Sequence, residues 1–412
     1  MPNHIVSVQD SVGCCFCYIT NYQFADDTTL IFTFKDPIIA SIKVNNDLAK
    51  LIAWAIQWNV SFNPIKTYFL IMSLKRKKPK LNKITFCNQT ILESNSLTIL
   101  GVTITNDLTW NPHINNIINK ASKRLLILNR YQNILPRIAR EKIYITMIRP
   151  VLEYGDILFD NLPKSLSNQI EKIQRRAAIA CTRSYKHTSY KSLLHELNWE
   201  PLTDRRRMHR LITYYKITHR MVPQYLQNHL PPPTNINYNL RHKPPLRPRF
   251  ARLTRSSNSF FLSTTNDWNG LPDSTRNCDS ILAFKKIIRG PNLYFPYHRL
   301  CSGKREAWLS RIRMGLSALN EQRHSYNFID SPICSSCDTD QVETPSHYFL
   351  HCDAYRVART ALYFSLAELD IDTTDNNKTL ETILHGTHTN HIHHTRLLKC
   401  ITQFMHDTQR FR

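Results

Sequence analysis

The hydrophobic pattern divides the chain near residue 110. Before that point apolar residues come in short runs rich in β-branched and aromatic side chains. Cys14-to-Tyr22 and Thr28-to-Phe34 read as two strands flanking Phe24-Ala25-Asp26-Asp27, and Tyr68-to-Leu74 and Leu97-to-Thr103 as two more. One helix interrupts them over residues 46 to 60, with Leu48, Leu51, Ile52, Ala55 and Ile56 at helical spacing. After residue 110 the period becomes helical. Asn111-Pro112 opens a helix whose apolar face holds Ile114, Ile117, Ile118, Ala121, Leu125 and Leu128. Further helices are expected from Pro136 to Tyr154 with a kink at Pro150, from Leu166 to Thr182, from Tyr190 to Leu197 and from Asp204 to Met221. The prediction is an α+β chain: a short antiparallel sheet with helices, then a basic helical region, then a small C-terminal segment.

Composition adds a partner class. The 412 residues include 54 Lys and Arg against 31 Asp and Glu, a net charge of +23. A charge that large favours a polyanion, and nucleic acid is the polyanion to expect. The surplus is concentrated: residues 120 to 255 hold 27 basic and 8 acidic residues, +19 of the total. No apolar run approaches the roughly 18 residues of a membrane span, and the first residues lack the charged region of a secretory signal. Eleven irregularly spaced Cys suit a reducing compartment, so nucleus and cytoplasm are expected and secretion is not.

Three constellations carry chemistry. The adjacent carboxylates Asp26 and Asp27 fall between two strands, where a hard divalent cation such as Mg²⁺ would relieve their repulsion. Arg175, Arg176, Arg183 and Lys186 cluster at and beyond the end of one expected helix, and Arg205, Arg206, Arg207 and Arg210 open another, with Tyr185, Tyr190, Tyr214 and Tyr215 among them. Such sets bind phosphates and stack on bases. Cys334, Cys337, His347 and Cys352 form C-x2-C-x9-H-x4-C, the N/S donor set tetrahedral Zn²⁺ prefers. His385, His388, His391, His393 and His394 lack such partners and read as a polar tail. The run Lys75 to Lys80 reads as a solvated turn.

The order of motifs resembles the reverse transcriptases of non-LTR retrotransposons, of the jockey-like LINE type. Phe24-Ala25-Asp26-Asp27 resembles motif C. Asn63-Pro64-Ile65-Lys66-Thr67 resembles motif D, and Leu100-Gly101-Val102 the primer-grip turn of motif E. Asp107 to Ile114 resembles the entry to the thumb. Arg149 to Gly155 and Ile173 to Ala177 resemble two thumb helices, and Trp268-Asn269-Gly270-Leu271-Pro272 a downstream block. The resemblance implies RNA-directed DNA polymerase chemistry on two Mg²⁺ ions. Asp26 and Asp27 would be ligands, Lys66 would lie near the triphosphate, and Gly101 and the arginines would lie against nucleic acid. It also implies that the Zn²⁺ segment holds element RNA or target DNA.

The organisation expected is the C-terminal part of a polymerase palm over 1–110 and a basic helical thumb over 111–230. A Pro-rich linker over 231–250 and a connection-like segment over 251–330 follow. A zinc-knuckle segment over 331–365 and a polar His-rich tail over 366–412 complete the chain. Only 25 residues precede Asp26, and Asp10 lies too close to be the motif A aspartate. The expectation is therefore a 5′-truncated product that cannot polymerise alone. The alternative is a non-catalytic remnant that binds zinc and nucleic acid. A ribonuclease H acidic set is not evident after the Pro-rich stretch.

Overall fold

The computed structural model describes residues 19–24, 27–73, 75, 77–234, 245–247, 250–251, 257–290, 304–386 and 391–411. The chain forms two compact units, Met1–Asn116 and Ile117–Arg412.

In the first unit, β1 (Ile19–Phe24) and β2 (Asp27–Phe32) form an antiparallel hairpin in which Phe24 pairs with Asp27. Helix α1 runs from Pro37 to Gln57, starting nine residues before the expected helix. The missed signal is Asp36-Pro37. The Asp36 carboxylate accepts from the amides of Ile38 (2.7 Å) and Ile39 (3.2 Å), and proline suits the first helical turn. Its Val44, Leu48 and Leu51 pack on Ile84, Phe86 and Ile91.

The remaining strands are short. β3 (Tyr68–Phe69) pairs in parallel with β6 (Leu92–Glu93), and β4 (Thr85–Phe86) pairs with β5 (Gln89–Thr90). β7 (Ser96–Ile99) and β8 (Val102–Thr105) form a hairpin. Leu97-to-Thr103 is therefore two strands. Leu100 and Gly101 both take positive φ, 47° and 81°, which is what a two-residue hairpin turn of this hand requires.

α2 (Asn111–Tyr131) buries Ile114, Ile117, Ala121, Leu125 and Leu128, as its period predicts. In the second unit, α3 (Arg137–Ile143) runs through a π turn at Tyr144–Ile148 into α4 (Arg149–Glu153). Pro150 has no amide to donate to the residue one α turn earlier, and the wider turn just before it accommodates that loss. α5 (Lys164–Thr182), α6 (Tyr190–Leu197), α7 (Leu202–Thr218) and α8 (Gln224–Gln227) follow.

The described ends of the Pro-rich stretch are fastened to the fold, and residues 235–244 and 248–249 lie outside the described residues. Pro233 and Leu246 bridge in antiparallel fashion, and the Asn269 amide bonds both backbone groups of Leu246. Asn269 ends α9 (Phe260–Asn269), which with α10 (Asp273–Arg276) and α11 (Ile281–Arg289) packs Trp268 and Phe284 onto Tyr214 and Tyr215 of α7. The Trp-Asn-Gly-Leu-Pro block and the basic helices share one core.

Residues 366–412 are not a polar tail. After α12 (Lys304–Arg313), α13 (Asn320–Ser325) and α14 (Arg356–Ala367) come α15 (Asn376–His385) and α16 (His391–Asp407). Leu397, Leu398, Ile401, Phe404 and Met405 of α16 are buried in the core that also holds Cys334 and Cys352. Their spacing is amphipathic, but the His-rich composition masked it. No helix among the described residues is long and apolar enough to cross a membrane.

Candidate metal centre and nucleic-acid interface

The four residues of the Cys/His motif converge. The Sγ atoms of Cys334, Cys337 and Cys352 and one His347 ring nitrogen all lie within 4.8 Å of one another. Cys334 Sγ is 3.9 Å from Cys352 Sγ, and Cys337 Sγ is 3.3 Å from His347 Nε2. Ligand bonds of about 2.0–2.3 Å give tetrahedral edges of roughly 3.3–3.8 Å, so the set fits Zn²⁺. His351 is exposed and outside the group.

Local structure produces the convergence. The Ile333–Val342 bridge, with Cys334 N donating to Gln341 O (2.8 Å), turns the knuckle back on itself. His347 begins a π turn, His347–His351, closed by Cys352 N donating to His347 O at 2.7 Å. On an α-helix, residues five apart point about 140° away from each other. The wider turn brings His347 and Cys352 to one side.

The ligands are chemically prepared. Gln341 Oε1 lies 3.0 Å from His347 Nδ1 and can only accept, so Nδ1 carries the proton and Nε2 offers its lone pair. Burial holds the His347 pKa below its ordinary value, which favours the neutral ligand form. Burial pushes the Cys352 thiol up to about 12. Burial acts upward on Cys337 too, but hydrogen bonds with Thr339, Cys334 and Cys352 together outweigh it and leave that thiol lowered. A divalent cation is the group that would let three clustered thiols ionise together.

Glu343 stands four residues before His347. It is fully buried, and Arg410 clamps both its carboxylate oxygens at 2.6 and 2.7 Å. Its Oε2 also accepts from Asn320 N at 2.7 Å, while Asn320 Nδ2 donates to Ile333 O at 2.6 Å. The metal strand is thereby tied to α13 and to the chain after α16. A buried carboxylate four residues before a ligand His was the available signal.

Of the motif C pair, Asp27 begins β2, half-buried at the hairpin end, and Asp26 lies outside the described residues. Lys66 is exposed at the end of a 3-10 turn, Pro64–Lys66, capped by Asn63. Gly101 sits in the β7–β8 turn.

The seven arginines divide. Arg206 and Arg210 are buried, Arg206 3.6 Å and Arg210 3.0 Å from the same Asp160, so a phosphate-facing role for these two is corrected to an internal one. Burial raises the Asp160 carboxyl above its ordinary value although both guanidiniums pull it down. Arg205 is paired with Glu153 and lies 3.3 Å from Glu200. Arg175 donates to Thr188 O (3.0 Å) and Arg183 to Gln132 O (2.8 Å). Only Arg176 and Arg207 are exposed, and Arg207 is 3.4 Å from Asp267. Tyr214 and Tyr215 are core residues, not stacking platforms. The exposed positive surface of these helices holds Lys120, Lys123, Lys142, Lys164, Lys172, Lys186 and Lys191, with Arg124, Arg130, Arg176, Arg207 and Arg220.

No family model matches the chain, and no solved structure matches it. A curated protein of Drosophila melanogaster, the probable RNA-directed DNA polymerase from transposon BS, is 26% identical over 179 residues, 42% of this chain and 20% of that protein. The chain thus matches about a fifth of that relative's length. This similarity supports the kinship with non-LTR reverse transcriptases that the ordered motifs imply.

Proposed function

We propose that this chain is the part of a non-LTR retrotransposon reverse transcriptase that presents motif C and holds the primer–template duplex, with a C-terminal module folded around Zn²⁺. The observation that carries the reading is the hairpin. Phe24 pairs with Asp27, so the motif C segment falls at the junction of two antiparallel strands, with Asp27 opening the second. In the intact enzyme Asp26 and Asp27 would hold Mg²⁺, which when bound stabilises the attacking 3′-oxygen and the leaving phosphate oxygen. The Lys66 ammonium can neutralise triphosphate charge and give up a proton. Gly101 offers backbone without a side chain where a strand end could approach closely. The lysine-rich helical surface would contact phosphates without reading bases.

A non-catalytic binding role is the second reading. What favours it is that the surplus charge lies in the helices and does not depend on the aspartates. Two measurements separate the readings. Binding of the full chain to an RNA–DNA duplex should weaken steeply with salt, and a flat response would defeat both. Mn²⁺ titration followed by electron paramagnetic resonance in the presence of duplex should show a site lost in Asp26→Ala. An unchanged titration would leave only the second reading.

A further inference from the structure

The stretch that carries the metal ligands has the opposite charge to the rest of the chain, while the helices α12 and α16 packed around it are basic. Residues 314 to 377 contain three basic residues, Arg323, Arg356 and Arg359, against ten acidic ones, and no lysine. That is −7, and the difference from +23 leaves +30 on the remainder. Arg359 is engaged with the Cys352 carbonyl at 2.8 Å. Asp330, Asp338 and Asp340 are exposed beside the metal strand. Such a surface repels a phosphate backbone, whose binding is driven by cationic contacts. This argues against the nucleic-acid role that the resemblance implies for the segment.

The same module leaves apolar side chains in water. Ile333 and Val342, partners across the bridge that positions Cys334, are 40% and 41% exposed. Tyr326 and Phe328, with rings 6.4 Å apart, are 53% and 74% exposed. Four large apolar residues left open within seventeen positions of one small module are what a polypeptide-binding face looks like.

We propose that this face binds a lysine- or arginine-rich polypeptide segment carrying apolar anchors. Tyr326, Phe328, Ile333 and Val342 would take the anchors, and Asp330, Asp338 and Asp340 would pair with the cations. Charge selects this occupant. A cationic peptide meets a net +30 on the remainder and a net −7 here, whereas a nucleic acid meets the reverse. The proposal rests on the metal reading only in that the module must be folded.

The test titrates the zinc-loaded full chain against a labelled lysine-rich peptide containing Leu and Phe, and separately against a labelled RNA–DNA duplex. The wild type should bind both. Asp330→Asn with Asp338→Asn and Asp340→Asn, and the charge-neutral pair Phe328→Ser with Val342→Ser, should each weaken peptide binding at least tenfold. The charge-neutral pair should leave duplex affinity within twofold. Peptide binding that is absent in the wild type, or unmoved by both variants, overturns the proposal. So does a tenfold loss of duplex binding in the charge-neutral pair, which would make the face a nucleic-acid site. Metal analysis of each variant separates misfolding and failure of the zinc reading from failure of the docking face.

Discussion

The basic helices and the metal module use charge in opposite ways. In the helices much of the arginine goes inside. Arg206 and Arg210 are buried against Asp160, and Arg137 reaches Glu141 and Glu196 at 2.8 Å each. Arg313 of α12 meets the same Glu196, so that buried carboxylate joins the basic helices to the module's approach. Lysine supplies the larger share of the positive surface, with Arg124, Arg130, Arg176, Arg207 and Arg220 beside it. In the metal module the acids go outside, and Glu343 is taken inward by Arg410. A cluster of like charges in sequence therefore says little about surface potential until its partners are found. Lysine, which is hard to bury, reports the surface better than arginine does.

Metal removal is the largest way to break this comparison. Chelation, or Cys352→Ser, should cost the module the folding free energy of a structural zinc, on the order of 10 kcal/mol in small zinc domains. Hydrogen exchange should then show lost protection in α14 and α16 with α7 still protected. Simultaneous loss throughout would mean the two regions fold as one.

Asp160→Ala should destabilise by about 3–5 kcal/mol in urea, because it takes the carboxylate from buried Arg206 and one of the two from buried Arg210. Duplex affinity per folded molecule should not change. If affinity falls with little change in stability, Arg206 and Arg210 face nucleic acid after all.

Gln341→Leu should weaken zinc binding by about 10–100-fold in competition with a chelator, since it removes the acceptor that orients His347. Gln341→Glu should restore it, which a purely structural role for Gln341 would not predict.

The smallest effect sharpens the helical side. Lys123→Ala and Arg176→Ala should each reduce the salt slope of duplex binding by about one ion, with stability changed by less than about 0.5 kcal/mol. An unchanged slope would remove that residue from the interface.

Much of this architecture was legible in the sequence, and the exceptions have physical causes. The helices from Asn111 to Thr218 followed from apolar period alone, because a helix reports its buried face every three to four residues. The four metal-cluster residues followed from spacing. The start of α1 was missed because its first turn exposes Ile38 and Ile39, which blurs the amphipathic signal. α16 was missed because polar histidines diluted an apolar stripe that is regular when read by position. The partners of the arginines were invisible, since Asp160 and Asp267 lie about 50 residues from Arg210 on either side.

The π turn at His347 has a consequence for variation. Of the nine residues between Cys337 and His347, Gln341, Val342 and Glu343 hold the site in place, so a change of length is accommodated best in the exposed turn Asp338–Asp340. The four between His347 and Cys352 are wound into one closed ring of backbone, where a single insertion or deletion would swing the last thiol out of reach. Length changes among relatives should therefore gather in the first gap and spare the second.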